Sequence, residues 1–278
     1  MVQHEVPTIR LRSGVRMPRV GLGTWPLTGE ECVRAVTSAL QLGYRLIDTA
    51  ENYRNEDAVG RAVRESGIPR AEIVVTTKFN KEWHSMDGVR EIVSRSLELM
   101  GLDYIDLLLI HWPNPGQRRF VHAFEGMLAV QEEGLVNAVG TSNFLPSHLE
   151  VLSHRGYIPE INQIQMDPLR PRRDVLDYMR TAGIVGECWS PLGKAVGEVL
   201  ERKELEFVAD AHGITPAQVV LRWQVQQGLV TIPKSASPQR QAENLDIFGF
   251  ELSDSEMALV DSLADPDAPV ADPEEFGH

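Results

Sequence analysis

Four side chains with complementary acid–base chemistry follow apolar segments of this chain. Asp48 and Tyr53 stand in Leu46-Ile47-Asp48-Thr49-Ala50-Glu51-Asn52-Tyr53, Lys78 in Thr76-Thr77-Lys78, and His111 in Leu109-Ile110-His111-Trp112-Pro113. Such a set suits delivery of a proton to a carbonyl oxygen. A free tyrosine has a pKa of about 10, too high for ready proton release near neutrality. An ammonium within a few ångströms favours the phenolate and can lower that value by on the order of 1 to 3 units. Lys78 is expected to act on Tyr53 in this way, Asp48 to keep Lys78 charged and aimed, and His111 to donate to and orient the carbonyl oxygen. Each has a bland alternative: a lysine after a strand is usually solvated, and a lone histidine is more often a hydrogen-bonded core residue. Their joint occurrence after successive apolar segments is what the bland alternatives explain poorly. Asp106, inside such a segment, is expected to be a structural acid meeting backbone donors.

The elements that must position these groups read as strands at 20–24, 44–47, 73–77, 105–110, 136–140, 161–164, 184–188 and 230–232, each apolar and rich in β-branched residues. Segments of helical period lie between them. Thr28 with Glu31, Thr215 with Gln218 and Ser253 with Glu256 have the spacing of capping boxes, and Pro216 and Pro238 sit where a first helical residue belongs. Strand and helix alternating in this way, with near-continuous apolar strands, predict a parallel sheet covered by helices. The length fits one (β/α)8 TIM barrel over residues 1–278, preceded by an N-terminal β-hairpin (residues 1–19) that turns at Ser13-Gly14. The Pro- and acid-rich stretch 265–278 is expected to be a loosely held tail. An open nucleotide-binding sheet would require G-x-G-x-x-G after its first strand, but Gly21-Leu22-Gly23-Thr24-Trp25-Pro26 lacks the third glycine.

A site that polarises a carbonyl still needs a reductant, and the other strand ends hold residues suited to bind one. Lys234 and Arg240 flank a turn into a helix start, where backbone N–H groups already favour anions, so the pair predicts a phosphate site. Trp189, beside Ser190-Pro191-Leu192-Gly193, offers a flat face for stacking a heterocycle. Elsewhere the formal net charge of −13 disfavours nucleic acid and anionic membrane surfaces as partners. Cys32 and Cys188 are far apart and imply no disulfide framework. With no leader-like start and no long apolar run, a cytoplasmic monomer is expected.

The chain resembles the aldo-keto reductases over nearly its whole length. The resemblance is carried by Gly43-Tyr44-Arg45-Leu46-Ile47-Asp48-Thr49-Ala50 with Tyr53 and Asn55-Glu56, Thr77-Lys78, Leu109-Ile110-His111-Trp112-Pro113, Val139-Gly140-Thr141-Ser142-Asn143-Phe144, Asn162-Gln163, Trp189-Ser190-Pro191-Leu192-Gly193, and Ile232-Pro233-Lys234-Ser235 through Glu243-Asn244. It implies a barrel that binds NADPH without a Rossmann fold and reduces a small-molecule carbonyl compound. It further implies Tyr53 as general acid, tuned by Lys78 and Asp48, with His111 orienting the carbonyl. Ser142, Asn143 and Gln163 would meet the nicotinamide amide, Trp189 would stack on that ring, and Ser190 and Leu192 would lie along the pyrophosphate. Lys234, Ser235, Ser237 and Arg240 would clasp the 2′-phosphate, Glu243 and Asn244 would contact adenine, and Gly23 and Thr24 would complete the cofactor site. Trp25, Trp83 and Trp112 are expected around the substrate.

Two departures stand out: Ile164-Gln165-Met166-Asp167-Pro168 lacks the acid and histidine common in relatives, and the segment after Gly193 reaches an expected helix near Glu198 quickly. Two other functions are weighed. A non-catalytic nucleotide-binding sensor on the same barrel conflicts with the complete acid–base set. A barrel metallohydrolase would need H-x-H or H-E-x-x-H spacing, which the sequence lacks, so no metal site is expected.

Overall fold

A computed structural model describes residues 5–194 and 197–277. The start Met1 to His4, Ala195 and Val196 in the segment after Gly193, and His278 of the tail lie outside the described residues.

Strands β1 (Thr8–Arg10) and β2 (Arg16–Pro18) pair antiparallel as the expected hairpin. Among the described residues the main sheet has eight parallel strands in sequential order. These are β3 (Leu22–Gly23), β4 (Leu46–Asp48), β5 (Val74–Phe79), β6 (Ile105–Ile110), β7 (Val136–Ser142), β8 (Ile161–Gln165), β9 (Val185–Trp189) and β10 (Val230–Thr231). Parallel bridges from Val20 to Thr231 and from Gly23 to Lys234 join the last strand to the first and close the barrel. A side chain at Gly23 would place its Cβ 2.8 Å from the Ile232 carbonyl oxygen, so this close approach requires glycine. Helices α1 (Gly29–Leu42), α2 (Glu56–Glu65), α3 (Met86–Met100), α4 (Phe120–Glu132), α5 (Pro146–Ser153), α6 (Arg173–Ala182), α7 (Lys203–His212), α8 (Pro216–Gln226), α9 (Pro238–Leu245) and α10 (Asp254–Asp261) accompany the strands. The architecture is a (β/α)8 barrel with an N-terminal hairpin.

Strand side chains alternate between two faces, and here the two faces form separate cores. Ile47, Val75, Leu108, Ile110, Val139, Ile164 and Cys188 pack outward among the helices. Leu46, Val74, Leu107, Leu109, Ala138, Ile161 and Val230 fill the barrel with Leu11 and Met17 of the hairpin region. The hairpin is fastened by Arg12, whose guanidinium donates to the carbonyls of Pro159 and Gly183 at 2.8 and 3.1 Å. One or two steps of the same alternation further along, the inward positions become Asp48, Lys78, His111, Ser142, Gln163 and Glu187. Apolar packing thus supports the lower barrel, and polar groups occupy the end where chemistry belongs in this fold.

Several local expectations shift. β5 runs on through Phe79 because Lys78 and Phe79 are in register with Leu109 and Ile110, so Lys78 lies within the strand, not after it. Thr28 precedes α1 without a side-chain cap, whereas Thr215 with Gln218 and Ser253 with Glu256 form reciprocal boxes. The segment after Gly193 turns at residues 197–201 before α7 starts at Lys203, later than the expected helix near Glu198. The tail, whose composition predicts loose attachment, crosses the upper end of the barrel. Arg170 Nε donates to Pro269 O at 2.8 Å, and the rings of Phe276 and Trp112 meet at 4.7 Å. Among the described residues no helix is long and apolar enough to cross a membrane.

Candidate active site

The end of β4 delivers Asp48, and a 3-10 turn (Glu51–Tyr53) returns the chain so that Tyr53 faces the same space. From the neighbouring strand, Lys78 Nζ donates to Asp48 Oδ1 at 2.7 Å and to Thr49 O at 2.9 Å, and lies 3.3 Å from Tyr53 Oη. Lys78 and Asp48 are 1 % and 2 % exposed, so this is an ion pair in the barrel interior. Burial works to discharge Lys78, but the charge and hydrogen bond of Asp48 hold its pKa above the ordinary value, and it remains an ammonium. Tyr53 departs from expectation. Burial lifts its pKa above the ordinary phenol value, with Asp48 and Glu187 pushing the same way, and the pull of Lys78 offsets only part of this.

His111 follows β6 and meets Tyr53 edge-on, with ring centroids 5.9 Å apart. Its Nδ1 lies 3.1 Å from Asn80 Oδ1, and the direction of that bond follows the tautomer.

Ser142, Asn143 and Gln163 bond first to one another and to the barrel. Ser142 Oγ donates to Gln163 O, and Asn143 Nδ2 donates to His111 O and to Ser142 Oγ, all at 3.0 Å. Asn143 Oδ1 accepts from Trp189 Nε1 at 2.9 Å, which fixes the indole edge, and Lys194 Nζ lies 4.7 Å from the indole centroid. Asn143 and Ser190 have φ of 63° and 48°, sparsely populated conformations for non-glycine residues that turn the backbone sharply after β7 and β9.

A cleft of about 910 Å³ brings together Gly23, Thr24, Trp25, Asp48, Tyr53, His111, Trp112, Ser142, Asn143, Gln163, Trp189, Ser190, Leu192 and Lys234, with Phe276 of the tail also on its wall. Other expected site residues lie off it. Trp83, expected beside the substrate, turns its indole to Glu51 Oε1 at 2.9 Å and does not line the cleft. Ser235, Ser237 and Arg240 stand beyond Lys234 at the start of α9, where Ser237 Oγ accepts from the Arg240 N–H at 3.4 Å. Glu243 accepts from Gln239 at 2.9 Å and lines a different cavity with Leu42 and Gly43, while Asn244 is buried. Among the described residues, neither Lys234 nor Arg240 is paired with a carboxylate.

Two groups escaped the sequence reading. Glu187 is fully buried, and its Oε2 accepts from Gln163 Nε2 at 2.9 Å; that same nitrogen donates to Asp48 Oδ2 at 2.8 Å. Its signal was period two: it stands two residues before Trp189, on the strand face that looks inward. Arg170 pairs with Asp167 Oδ2 at 2.9 Å and with Glu198 Oε1 at 2.5 Å, joining the β8 exit to the segment after Gly193. Asp167 Oδ1 also accepts the N–H groups of Leu169 and Arg170, so the departure at this strand end forms a closed turn. Asp106 meets the Val75 N–H at 3.0 Å and the Arg70 guanidinium at 2.6 Å. Among the described residues no group of three or more His, Cys, Asp or Glu is placed to hold a metal ion.

Comparison with known proteins shows the family to which the chain belongs. The family model described as "Aldo/keto reductase family" matches residues 19–265. A protein of Escherichia coli (strain K12) named methylglyoxal reductase DkgA is 41% identical over 97% of this chain and 98% of its own length. A Corynebacterium protein named 2,5-diketo-D-gluconic acid reductase B is 43% identical, with 93% of each chain covered. An aldo-keto reductase of Bombyx mori, solved in complex with NADP, superposes with a TM-score of 0.88 at 33% identity, covering 94% of each chain. The family model and these relatives span nearly the whole chain, and the chain belongs to the aldo/keto reductase family.

Proposed function

We propose that this chain reduces small aldehydes and ketones to alcohols with NADPH, Tyr53 delivering the proton. The observation that carries this reading is the ammonium of Lys78, buried between Asp48 and Tyr53 at 2.7 and 3.3 Å. As the carbonyl carbon gains a hydride, its oxygen becomes an alkoxide and needs a proton from a nearby O–H. Tyr53 gives that proton, and Lys78 faces the phenolate left behind. An acid held above its ordinary pKa is fully protonated at neutral pH, so every molecule is charged for reduction, and Lys78 offsets the cost of the phenolate. His111, beside Tyr53 with ring centroids 5.9 Å apart, faces the same space and orients the carbonyl.

Several features of the chain fit NADPH. When bound, it would supply the hydride. Trp189 presents an indole anchored by Asn143, suited to stack on a flat ring. Both N–H bonds of the Gln163 amide point to Asp48 and Glu187, so Oε1 is its atom for a carboxamide NH2. Lys234, Arg240 and the start of α9 form a cationic end suited to the 2′-phosphate, with Ser235 and Ser237 at the same turn. Trp25, Trp112 and Phe276 give the substrate end aromatic walls. Two relatives named for different dicarbonyl substrates support a small polar carbonyl compound as substrate. All these groups come from one chain, so a monomer suffices. Both cysteines are free and buried, as suits a cytoplasmic enzyme.

The test is Tyr53→Phe, assayed for NADPH oxidation with aldehydes, α-dicarbonyls and keto sugars alongside NADPH affinity by fluorescence quenching. Carbonyl reduction should be abolished while NADPH affinity stays nearly unchanged. A variant keeping more than about a tenth of wild-type kcat, a loss under roughly 1.4 kcal/mol of barrier, would show that Tyr53 is not the main acid.

A further inference from the structure

Glu187 has no place in the proton delivery just described, yet it sits inside the same hydrogen-bonded group. β8 and β9 pair with Gln163 in register with Glu187, so the two side chains lie side by side on the inward face. The Gln163 amide nitrogen joins two carboxylates, Asp48 Oδ2 at 2.8 Å and Glu187 Oε2 at 2.9 Å. Glu187 is 0 % exposed, and among the described residues no cation touches it and its Oε1 has no hydrogen-bond partner. We infer that Glu187 is a positioning residue of this active centre: through the shared Gln163 amide it fixes Asp48 against Lys78, and its charge state governs how readily Tyr53 parts with its proton. The inference rests on Tyr53 being the acid.

The electrostatics follow from which groups face Glu187. These are Asp48 on β4, Tyr53 in its 3-10 turn and Lys78 on β5; Gln163 on β8 is uncharged, and β10 sets Val230 in register with Glu187. On its own strand the adjacent Cys188 is buried and stays a thiol, its pKa raised by burial and then by Glu187 and Asp167. With Asp48 ionised and Lys78 protonated, a neutral Glu187 leaves this interior without net charge, whereas an ionised one leaves it a buried anion. Burial, with Asp48 next, pushes Glu187 up to about 8. At pH 6 to 7 it therefore contributes hydrogen bonding but no charge. Above pH 8 its negative charge opposes the Tyr53 phenolate and keeps the phenol protonated to higher pH.

The experiment compares Glu187→Gln with wild type in kcat–pH profiles for carbonyl reduction and for alcohol oxidation. Glutamine keeps the shape and a bond to Gln163 but cannot ionise. The two proteins should coincide at pH 6 to 7, with similar KM and NADPH affinity. Above pH 8 the alkaline limbs of the variant, falling for reduction and rising for oxidation, should both move to lower pH by about one unit, the effect expected from one nearby like charge. Superimposable profiles, or a uniform loss at every pH, would overturn the inference. If Glu187→Gln does not fold, infrared spectra of the wild type decide. A protonated-carboxyl stretch should be present at pH 6 and fade through about pH 8, and its absence at pH 6 overturns the inference. Failure of the underlying reading is distinguishable, because it appears as an active Tyr53→Phe variant.

Discussion

Lys78 Nζ stands 2.7 Å from Asp48 Oδ1 with both side chains closed off from solvent, so among the described residues each supplies the only full countercharge in direct contact with the other. Removing one charge should hurt stability and chemistry together. Asp48→Asn leaves an ammonium that faces only neutral partners, the new amide with Thr49 O and Tyr53 Oη. Breaking one partner of a buried pair typically costs about 3–5 kcal/mol. Burial, which already acts to discharge Lys78, would then meet less opposition. We expect a lower denaturant midpoint and a kcat reduced by about 100-fold or more, the scale of lost acid–base assistance. A variant with wild-type midpoint and kcat would show that Asp48 is dispensable to Lys78.

The cationic end of the site gives an independent prediction about cofactor choice. Lys234 lines the cleft, Arg240 stands in the first turn of α9, and among the described residues neither has a carboxylate partner. Bonds between charged groups contribute about 1.5–3 kcal/mol each. The double variant Lys234→Ala with Arg240→Ala should therefore weaken NADPH by about 100-fold or more while leaving NADH within a few-fold. Titrating both nucleotides by fluorescence quenching checks this. Equal weakening would locate the phosphate clasp elsewhere.

What was legible in the sequence was local. Asp48 and His111 sit where short apolar runs end, Tyr53 in the turn just beyond Asp48 and Lys78 late in a third run, and closing the barrel brings those positions together. The alternation of strands and helices gave the fold for the same reason, since period and turn chemistry are properties of neighbouring residues. What pairs across the barrel was not legible. Gln163 reads as a strand-end amide, but whether its nitrogen faces a cofactor or two carboxylates depends on what stands on β4 and β9. Glu187 sits in the middle of a strand, where no strand-end pattern marks it. The direction of the Tyr53 shift was missed because the ammonium's pull was visible in sequence while the opposing burial is set by the packed site. Trp83 and Arg170 show the same limit, as each finds its partner, Glu51 or Glu198, on a separate segment.

His84 offers a prediction about acid stability, away from proton delivery. It follows a 3-10 turn (Lys81–Trp83), is 1 % exposed, and meets Phe79 edge-on with centroids 5.9 Å apart. Among the described residues neither ring nitrogen has a hydrogen-bond partner. Burial, with Arg119 adding to it, lowers its pKa to about 4. An unfolded histidine titrates near 6.5, so between the two values the unfolded chain binds more protons at this position than the folded one. This contribution to stability is complete above pH 6.5 and is lost as pH falls towards 4. By linkage the loss is on the order of 2 kcal/mol at pH 5 and 3 kcal/mol at pH 4. His84→Leu cannot take up that proton. It should melt close to wild type at pH 7.5 and above it increasingly from pH 6 downward, measured as Tm against pH by circular dichroism. Parallel curves for the two proteins would assign the acid sensitivity to another group.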